Sequence, residues 1–185
     1  MSEVGDARLP RGSTVFPDLV QVHFDGACEP AHGGGVATYG FIVEGPGLDY
    51  EEKGLAVPPW SPHATNNVAE YSAATRALEW LRSRGFRGTV LLLGDSQLVV
   101  RQMRGEYAVR AEHLREYHRH LELLGRAFAE VRFEWVPREQ NTRADALSKA
   151  AFDEARGPAM RHRPRRPVIT VDEDFDPSAG PGAGP

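Results

Sequence analysis

The chain has 185 residues, 41% of them hydrophobic, which is enough for one folded domain with a core. Its formal net charge of −4 excludes a global positive field that would attract nucleic acid, although a local basic patch can coexist with acidic ends. The single cysteine, Cys28, excludes an internal disulfide, and no apolar run is long enough for a transmembrane helix. These features predict a cytoplasmic protein without a membrane partner.

The two ends of the chain differ in composition from its middle. Residues 1–17 mix charged residues, glycine and proline without periodicity, which predicts a flexible leader. From residue 157 onward, a cluster of arginines precedes a cluster of acidic residues and the run PSAGPGAGP, which predicts a low-complexity, disordered tail. We therefore expect one folded domain over residues 18–156.

The first part of this domain predicts three strands. Residues Leu19 to Phe24 alternate apolar and polar side chains, as in a half-buried strand. Two further strands, Val36 to Val43 and Leu48 to Val57, follow glycine-containing turns at 33–35 and 45–47. Short turns between consecutive strands indicate an antiparallel meander.

Helices alternate with strands in the second part of the domain. Apolar residues recur at helical spacing before Gly85, and a nearly continuous apolar run after Gly88 is typical of a buried parallel strand. In chain order, the predicted elements are a helix at about Asn67 to Arg84, a strand at Thr89 to Leu93, helices at Gln97 to Arg104 and Ala111 to Phe128, a strand at Val131 to Val136, and a helix from Thr142 to about Arg156. This order predicts a mixed α/β fold with crossover helices.

Four acidic residues lie in four distinctive neighbourhoods: Asp25 in VQVHFDGACEP, Glu70 in TNNVAEYSAA, Asp95 in VLLLGDSQLVV and Asp145 in QNTRADALSKAA. Carboxylates that a fold brings together repel one another and raise one another's pKa unless a cation lies between them. Oxygen ligands of this kind select Mg²⁺ or Mn²⁺. The four acids therefore suggest two-metal phosphodiester chemistry.

Each acid also has a purely structural interpretation. Asp25 precedes a glycine, and Asp-Gly is a common turn dipeptide. Glu70 lies three residues after Asn67, which resembles a capping box, and Asp145 follows another helix-start pattern. Asp95 is harder to explain structurally, because it follows a strand at the end where open α/β sheets place ligands. Only the joint occurrence of the four acids favours a catalytic site.

In this order, the motifs resemble those of type 1 ribonucleases H, specifically the short archaeal and bacterial subgroup without a lysine-rich basic protrusion. The resemblance is carried by FDGACEP, TNNVAEYSAATRALEWL, LLLGDSQLVVRQMRGEYAV and WVPREQNTRADALSKAA, and covers about Val20 to Arg156. It implies a ribonuclease H-like fold, in which a five-stranded mixed sheet of three antiparallel strands and then parallel strands carries helices on both faces.

The same resemblance implies a metal-dependent endoribonuclease that cuts the RNA strand of RNA/DNA hybrids and leaves a 5′-phosphate and a 3′-hydroxyl. We expect the protein to be a monomer. Two alternatives stay open. A nuclease of this fold can also or instead cut double-stranded RNA, and a module of this fold can bind nucleic acid without cutting it.

Several residue roles follow from the resemblance alone. Asp25, Glu70, Asp95 and Asp145 would hold two Mg²⁺ or Mn²⁺ ions. Arg138 would assist the attacking water or product release, since the loop before the last acid contains no histidine. The implied substrate-binding residues are Gly26, Cys28, Glu29, Gly35, Thr65, Asn66, Asn67, Ser96, Gln97 and Asn141. Helix capping is the alternative role for Thr65, Asn66 and Asn67. Added hybrid affinity would come from Arg101, Arg104, Arg110 and the Arg161–Arg166 cluster.

Overall fold

A computed structural model describes residues 19–30 and 34–161, with side chains as far as Gly157. The predicted leader and the chain beyond Arg161 lie outside the described residues. The elements are β1 (Leu19–Glu29), β2 (Val36–Gly45), β3 (Leu48–Leu55), α1 (Asn66–Ser83), β4 (Thr89–Gly94), α2 (Gln97–Met103), α3 (Glu112–Gly125), β5 (Glu130–Trp135), a 3₁₀ turn (Arg138–Gln140) and α4 (Thr142–Arg161).

The five strands form one mixed sheet in the order β3-β2-β1-β4-β5. The pairs β1–β2 and β2–β3 are antiparallel, whereas β1–β4 and β4–β5 are parallel. This arrangement confirms the predicted fold class. It places β1 at the centre of the sheet, directly beside β4.

Helices cover both faces of the sheet, and two glycines allow them to approach closely. A Cβ atom at Gly26 of β1 would lie 2.2 Å from the backbone nitrogen of Glu70 in α1. A Cβ atom at Gly40 of β2 would lie 2.6 Å from the Cβ of Leu147 in α4. Gly40 pairs with Asp25, the neighbour of Gly26, so Gly26 and Gly40 face opposite sides of the sheet. Both helices that carry predicted acids therefore pack directly on the central strands.

The main core lies between the sheet and the helices α1 to α3. It contains large side chains with no exposed surface, among them Phe24, Phe41, Tyr71, Leu78 and Leu92. The Tyr71 hydroxyl donates a 2.9 Å hydrogen bond to Oε1 of the buried Gln102, which ties α1 to α2. Within the described residues, no helix combines the length and the apolarity that crossing a bilayer requires.

Two structural alternatives and one helix end are not borne out. The strand β1 continues to Glu29, and Asp25 pairs with Gly40 inside the ladder, so Asp25-Gly26 is not a turn. Helix α1 begins at Asn66, within one residue of the predicted start, and its cap is Thr65, whose side chain accepts a hydrogen bond from the Val68 N–H, so the Asn67–Glu70 capping box does not form. The last helix reaches Arg161 instead of ending near Arg156.

Candidate active site

Three of the predicted acids converge beside the carboxyl end of β4. Asp25 lies on β1, and Asp95 follows the parallel neighbour β4, whose residue Leu93 pairs with His23. Glu70 reaches the same place from α1, because Gly26 lets that helix approach β1. Asp25, Glu70 and Asp95 each offer a carboxylate oxygen, and these three oxygens lie within 4.8 Å of one another.

The fourth predicted acid, Asp145, lines the same cavity but does not belong to this group of three. Each of its two carboxylate oxygens accepts a hydrogen bond from a positively charged side chain. Arg138 Nη2 donates to Oδ1 at 2.5 Å, and Lys149 Nζ donates to Oδ2 at 2.5 Å. Lys149 lies one turn after Asp145 on α4, where side chains four residues apart meet.

Burial controls the ionisation of two of the three clustered acids. The pKa of Asp25 is raised to about 7. Burial is the main cause, the hydrogen bond from Ser148 Oγ opposes it, and the charges of Asp95 and Asp145 add to it. Burial, followed by the charges of Asp25 and Asp95, raises the pKa of Glu70 well above its usual value. Glu70 Oε2 is moreover buried without a hydrogen-bond partner among the described residues.

An unsatisfied buried carboxylate oxygen beside two further carboxylates suits a divalent cation, which would supply the missing partner and compensate the negative charge. The donors are all hard oxygens, the ligands that Mg²⁺ and Mn²⁺ prefer. The residues present therefore fit the predicted metal.

Asp145 differs from the two buried acids, Asp25 and Glu70, in its electrostatics. Partial burial alone would raise its pKa, but the hydrogen bonds from Lys149 and Arg138 outweigh burial and leave the pKa below its usual value. The same pairing raises the pKa of Arg138. The site thus combines two carboxyls that resist ionisation with one that is held as a carboxylate by its own salt bridges.

The predicted residue Asn141 is buried and links several parts of the site. Its Nδ2 donates to the carbonyl oxygen of Phe24 at 2.9 Å and lies 3.4 Å from Asp95 Oδ1. Its Oδ1 lies 3.3 Å from His23 Nδ1. Asn141 therefore fastens the start of α4 to β1 and to the side chain of Asp95.

Some of the predicted substrate-binding residues share the cavity of the acids, and others do not. The cavity has a volume of about 450 Å³, and its predicted lining residues, besides the acids and Arg138, are Gly26, Cys28, Glu29, Asn66 and Ser96. The remaining predicted residues, Gly35, Thr65, Asn67, Gln97 and Asn141, do not line it. Of these, Thr65 caps α1, whereas the exposed Gln97 begins α2.

Cys28 is held as a thiol in this cavity. Its Sγ donates to the carbonyl oxygen of Ala64 at 3.1 Å, and its backbone N–H donates to Asn66 Oδ1 at 3.1 Å. Burial raises its pKa to about 11. A thiol with a raised pKa is a poor nucleophile, because the thiolate is the reactive form.

The structure adds three side chains that the sequence analysis did not select: Ser148, Lys149 and Phe152. All three lie on α4 after Asp145. Ser148 and Lys149 follow Asp145 by three and four residues, the spacing at which helical residues share a face, so the helical period could have identified them.

Comparison with known proteins agrees with this geometry. Residues 51–151, more than half of the chain, match a family described as reverse transcriptase-like. Ribonuclease HI of Halobacterium salinarum is 37% identical over 146 residues, which make up 77% of this chain and 70% of that protein. The chain belongs to the type 1 ribonuclease H family.

Other members of the ribonuclease H family match over shorter or similar lengths. The bifunctional protein Rv2228c of Mycobacterium tuberculosis is 33% identical over 114 residues, 62% of this chain but only 31% of that protein. Its N-terminal RNase H domain superposes with a TM-score of 0.68, covering 76% of this chain and 98% of the domain. LC11-RNase H1, solved in complex with an RNA/DNA hybrid, is 32% identical with a TM-score of 0.64 over 74% of this chain and 98% of that one.

Proposed function

We propose that the protein hydrolyses the RNA strand of RNA/DNA hybrids with the help of two divalent cations. The observation that carries this proposal is the group of Asp25, Glu70 and Asp95, whose carboxylate oxygens lie within 4.8 Å of one another. One carboxylate oxygen of this group, Glu70 Oε2, is buried without a hydrogen-bond partner among the described residues. Two relatives support the choice of substrate: one is named ribonuclease HI, and the other was solved with a bound RNA/DNA hybrid.

Asp25, Glu70 and Asp95 would hold the cations, and Asp145 would join them once its carboxylate leaves Arg138 and Lys149. Bound Mg²⁺ or Mn²⁺ would activate the attacking water and stabilise negative charge on the departing 3′ oxygen, leaving a 5′-phosphate and a 3′-hydroxyl. The carboxyls of Asp25 and Glu70 must lose their protons to act as ligands, so cation binding releases protons.

The substrate is proposed to enter beside the acids. The RNA-specific 2′-hydroxyl would be read by backbone and side-chain groups near Cys28, Glu29 and Gly35, together with Glu70 and Gln97. Ser96 and Asn66 line the same cavity, and Asn66 accepts a hydrogen bond from the backbone N–H of Cys28. The DNA strand would bind through phosphates at Thr65 and Asn67.

A cleavage assay tests the proposal and separates it from both alternatives. Labelled RNA/DNA hybrid, RNA duplex, DNA duplex and single-stranded RNA are each incubated with the protein in Mg²⁺, Mn²⁺ or EDTA. We expect cleavage of the RNA strand of the hybrid only when a metal is present. Preferred cleavage of RNA duplex would support the first alternative, and hybrid binding without cleavage would support a non-catalytic module.

Replacement of Arg138 by alanine is expected to lower the turnover number about tenfold with a smaller change in KM, because the guanidinium is proposed to act on the water or the product phosphate. Half-maximal activity of the same variant should require less Mg²⁺, because Asp145 loses one of its two salt-bridge partners and is freer to bind the metal. Arg143→Ala is the control, because Arg143 pairs with Glu44 instead. An unchanged turnover number for Arg138→Ala would remove this role.

The Arg161–Arg166 cluster at the end of α4 lies beyond the described side chains, and its role stays a prediction. Removal of the chain after Arg161 leaves the whole of α4 in place. We expect this truncation to raise KM severalfold and to flatten the salt dependence of binding, because fewer arginines meet phosphates. Measuring KM across a salt series for both chains checks this, and parallel salt slopes would contradict it.

A further inference from the structure

A second groove lies close to the backbone of Asp95. It has a volume of about 670 Å³ and lies between α2 and β5, the strand at the edge of the sheet. Its walls include the side chains of Arg101, Arg104 and Trp135. The Trp135 Nε1–H donates to the backbone carbonyl oxygen of Asp95 at 3.0 Å. This hydrogen bond joins one wall of the groove to a residue of the proposed active site.

Three exposed apolar side chains lie on, or a few residues after, the two elements that form this groove. In the part of the chain that the structure describes, six large hydrophobic side chains are exposed. Three of them lie on or next to α2 and at the end of β5: Leu98, Tyr107 and Trp135, which are 36%, 46% and 44% exposed. Leu98 lies one helical turn before Arg101. Apolar exposure that is concentrated in one place marks a binding surface more often than scattered exposure does.

One arginine of the groove lies over an aromatic ring and hydrogen-bonds to its hydroxyl. The Arg101 guanidinium lies 5.2 Å from the centre of the Tyr107 ring, and its Nη1 donates to the Tyr107 hydroxyl at 2.8 Å. The neighbouring Arg104 pairs with a carboxylate, that of Glu106. Arg101 thus presents a positive charge whose described partner is a neutral phenol, next to two exposed aromatic rings.

We propose that this groove binds a single-stranded extension of the RNA strand, next to the hybrid that is cut. This inference rests on the proposed hybrid-cleaving function. Exposed aromatic rings stack on base faces, and guanidinium groups bind phosphates and stack as well. A duplex hides its base faces in its own stack, so only a single strand can use these rings. The position beside Asp95 selects the strand that passes the proposed metal site, which is the RNA strand.

The edge strand itself is poorly suited to a peptide partner. An added peptide strand would pair with the free edge of β5, where Arg132 and Glu130 form a salt bridge and Glu134 is exposed. Charged side chains along an edge strand discourage the addition of another strand. The surface therefore favours nucleic acid over an extended peptide.

The test compares a blunt RNA/DNA hybrid with the same hybrid carrying a short single-stranded tail on the RNA strand or on the DNA strand. Dissociation constants and kcat/KM are measured for the full chain and for the variants Tyr107→Ala and Arg101→Ala. We expect the RNA tail to tighten binding about tenfold in the unmodified protein, the gain typical of stacking one base. Both variants should lose this gain. Tyr107→Ala should bind the blunt hybrid unchanged, whereas Arg101→Ala should also bind it more weakly, because Arg101 is a predicted hybrid contact. The DNA tail should add nothing.

Two further variants sharpen the comparison. Arg119→Ala removes an exposed arginine of α3, away from the groove, and should keep the whole gain. Arg101→Lys keeps the charge without the flat guanidinium and should keep less than half of the gain. A full gain in Arg101→Lys would show simple charge attraction and overturn the stacking proposal.

Three results would overturn the inference while leaving the proposed function intact: equal affinity for blunt and tailed hybrids, a gain that survives Tyr107→Ala and Arg101→Ala, or a dimer in sedimentation that Tyr107→Ala dissociates. The dimer would identify a second copy of the chain as the occupant. Failure of the proposed function has a different signature, since the blunt hybrid would then stay uncut in the presence of metal.

Discussion

Replacement of Asp25 by asparagine is expected to abolish hybrid cleavage and, in the absence of metal, to stabilise the protein above pH 7. Asparagine has nearly the same shape, and its Oδ1 can still accept the hydrogen bond from Ser148 Oγ. It loses the charge that would bind the cations, and the several kcal/mol that bound metals contribute correspond to a loss of roughly a thousandfold or more in rate.

The stability effect follows from the raised pKa of Asp25. Below about pH 4 the carboxyl is protonated in both folded and unfolded chains, so ionisation of Asp25 makes no difference. Between the ordinary value of 3.8 and about 7, the unfolded chain ionises while the folded chain keeps its proton, so the unmodified protein loses stability as the pH rises. Asparagine avoids this loss. The full pKa difference corresponds to about 4 kcal/mol, and we expect roughly half of it because the site relaxes.

Thermal unfolding in EDTA at pH 4 and pH 8 measures the effect. We expect Asp25→Asn to unfold roughly 5 °C higher than the unmodified protein at pH 8 and at nearly the same temperature at pH 4. Added Mg²⁺ should stabilise only the unmodified protein. Asp49→Asn, an exposed acid on β3, is the control and should change neither stability nor cleavage. A lower unfolding temperature for Asp25→Asn at pH 8 would refute the electrostatic argument.

Gly26→Ala is expected to destabilise the fold by about 3 kcal/mol or more and to inactivate the site. The added Cβ would lie 2.2 Å from the Glu70 nitrogen and 2.3 Å from the carbonyl carbon of Ala69, both of which are backbone atoms that cannot rotate away. Helix α1 must then move off β1, which disturbs the core and withdraws the Glu70 carboxylate from Asp25 and Asp95.

Urea unfolding and hybrid cleavage together check the effect of Gly26→Ala. The control is Gly125→Ala at the end of α3, where the nearest atom would be a Val131 methyl at an ordinary 3.6 Å. We expect the control to lie within about 0.5 kcal/mol of the unmodified protein. Should Gly26→Ala match the control in both measurements, the close approach of α1 to β1 does not position Glu70.

The order of strands and helices could be predicted because local patterns encode it. Alternation identifies β1, a continuous apolar run identifies β4, and helical spacing identifies α1. The ends of elements were harder, and Asp25-Gly26 shows the reason. A dipeptide that favours turns is held inside β1 by pairing with Gly40, a contact that no local pattern reveals.

The four acids were selected by their neighbourhoods, but their differences were not predictable. Asp25 and Glu70 resist ionisation because the folded chain buries them, whereas Asp145 is held as a carboxylate by Arg138 and Lys149. Burial depends on which elements pack together. The residue types and spacings did not separate Asp145 from the other three acids, which alone share a ligand group among the described residues.

By itself, the sequence determined the mixed α/β architecture and the candidate acids, because both depend on residue types and on periods of a few residues. The tertiary structure alone decided how those acids are supported. Ser148 reaches Asp25 across 123 positions of the chain, and Asn141 reaches Phe24 across 117. Such contacts arise from the packing of α4 on the sheet, and packing between distant segments leaves no periodic trace in the sequence.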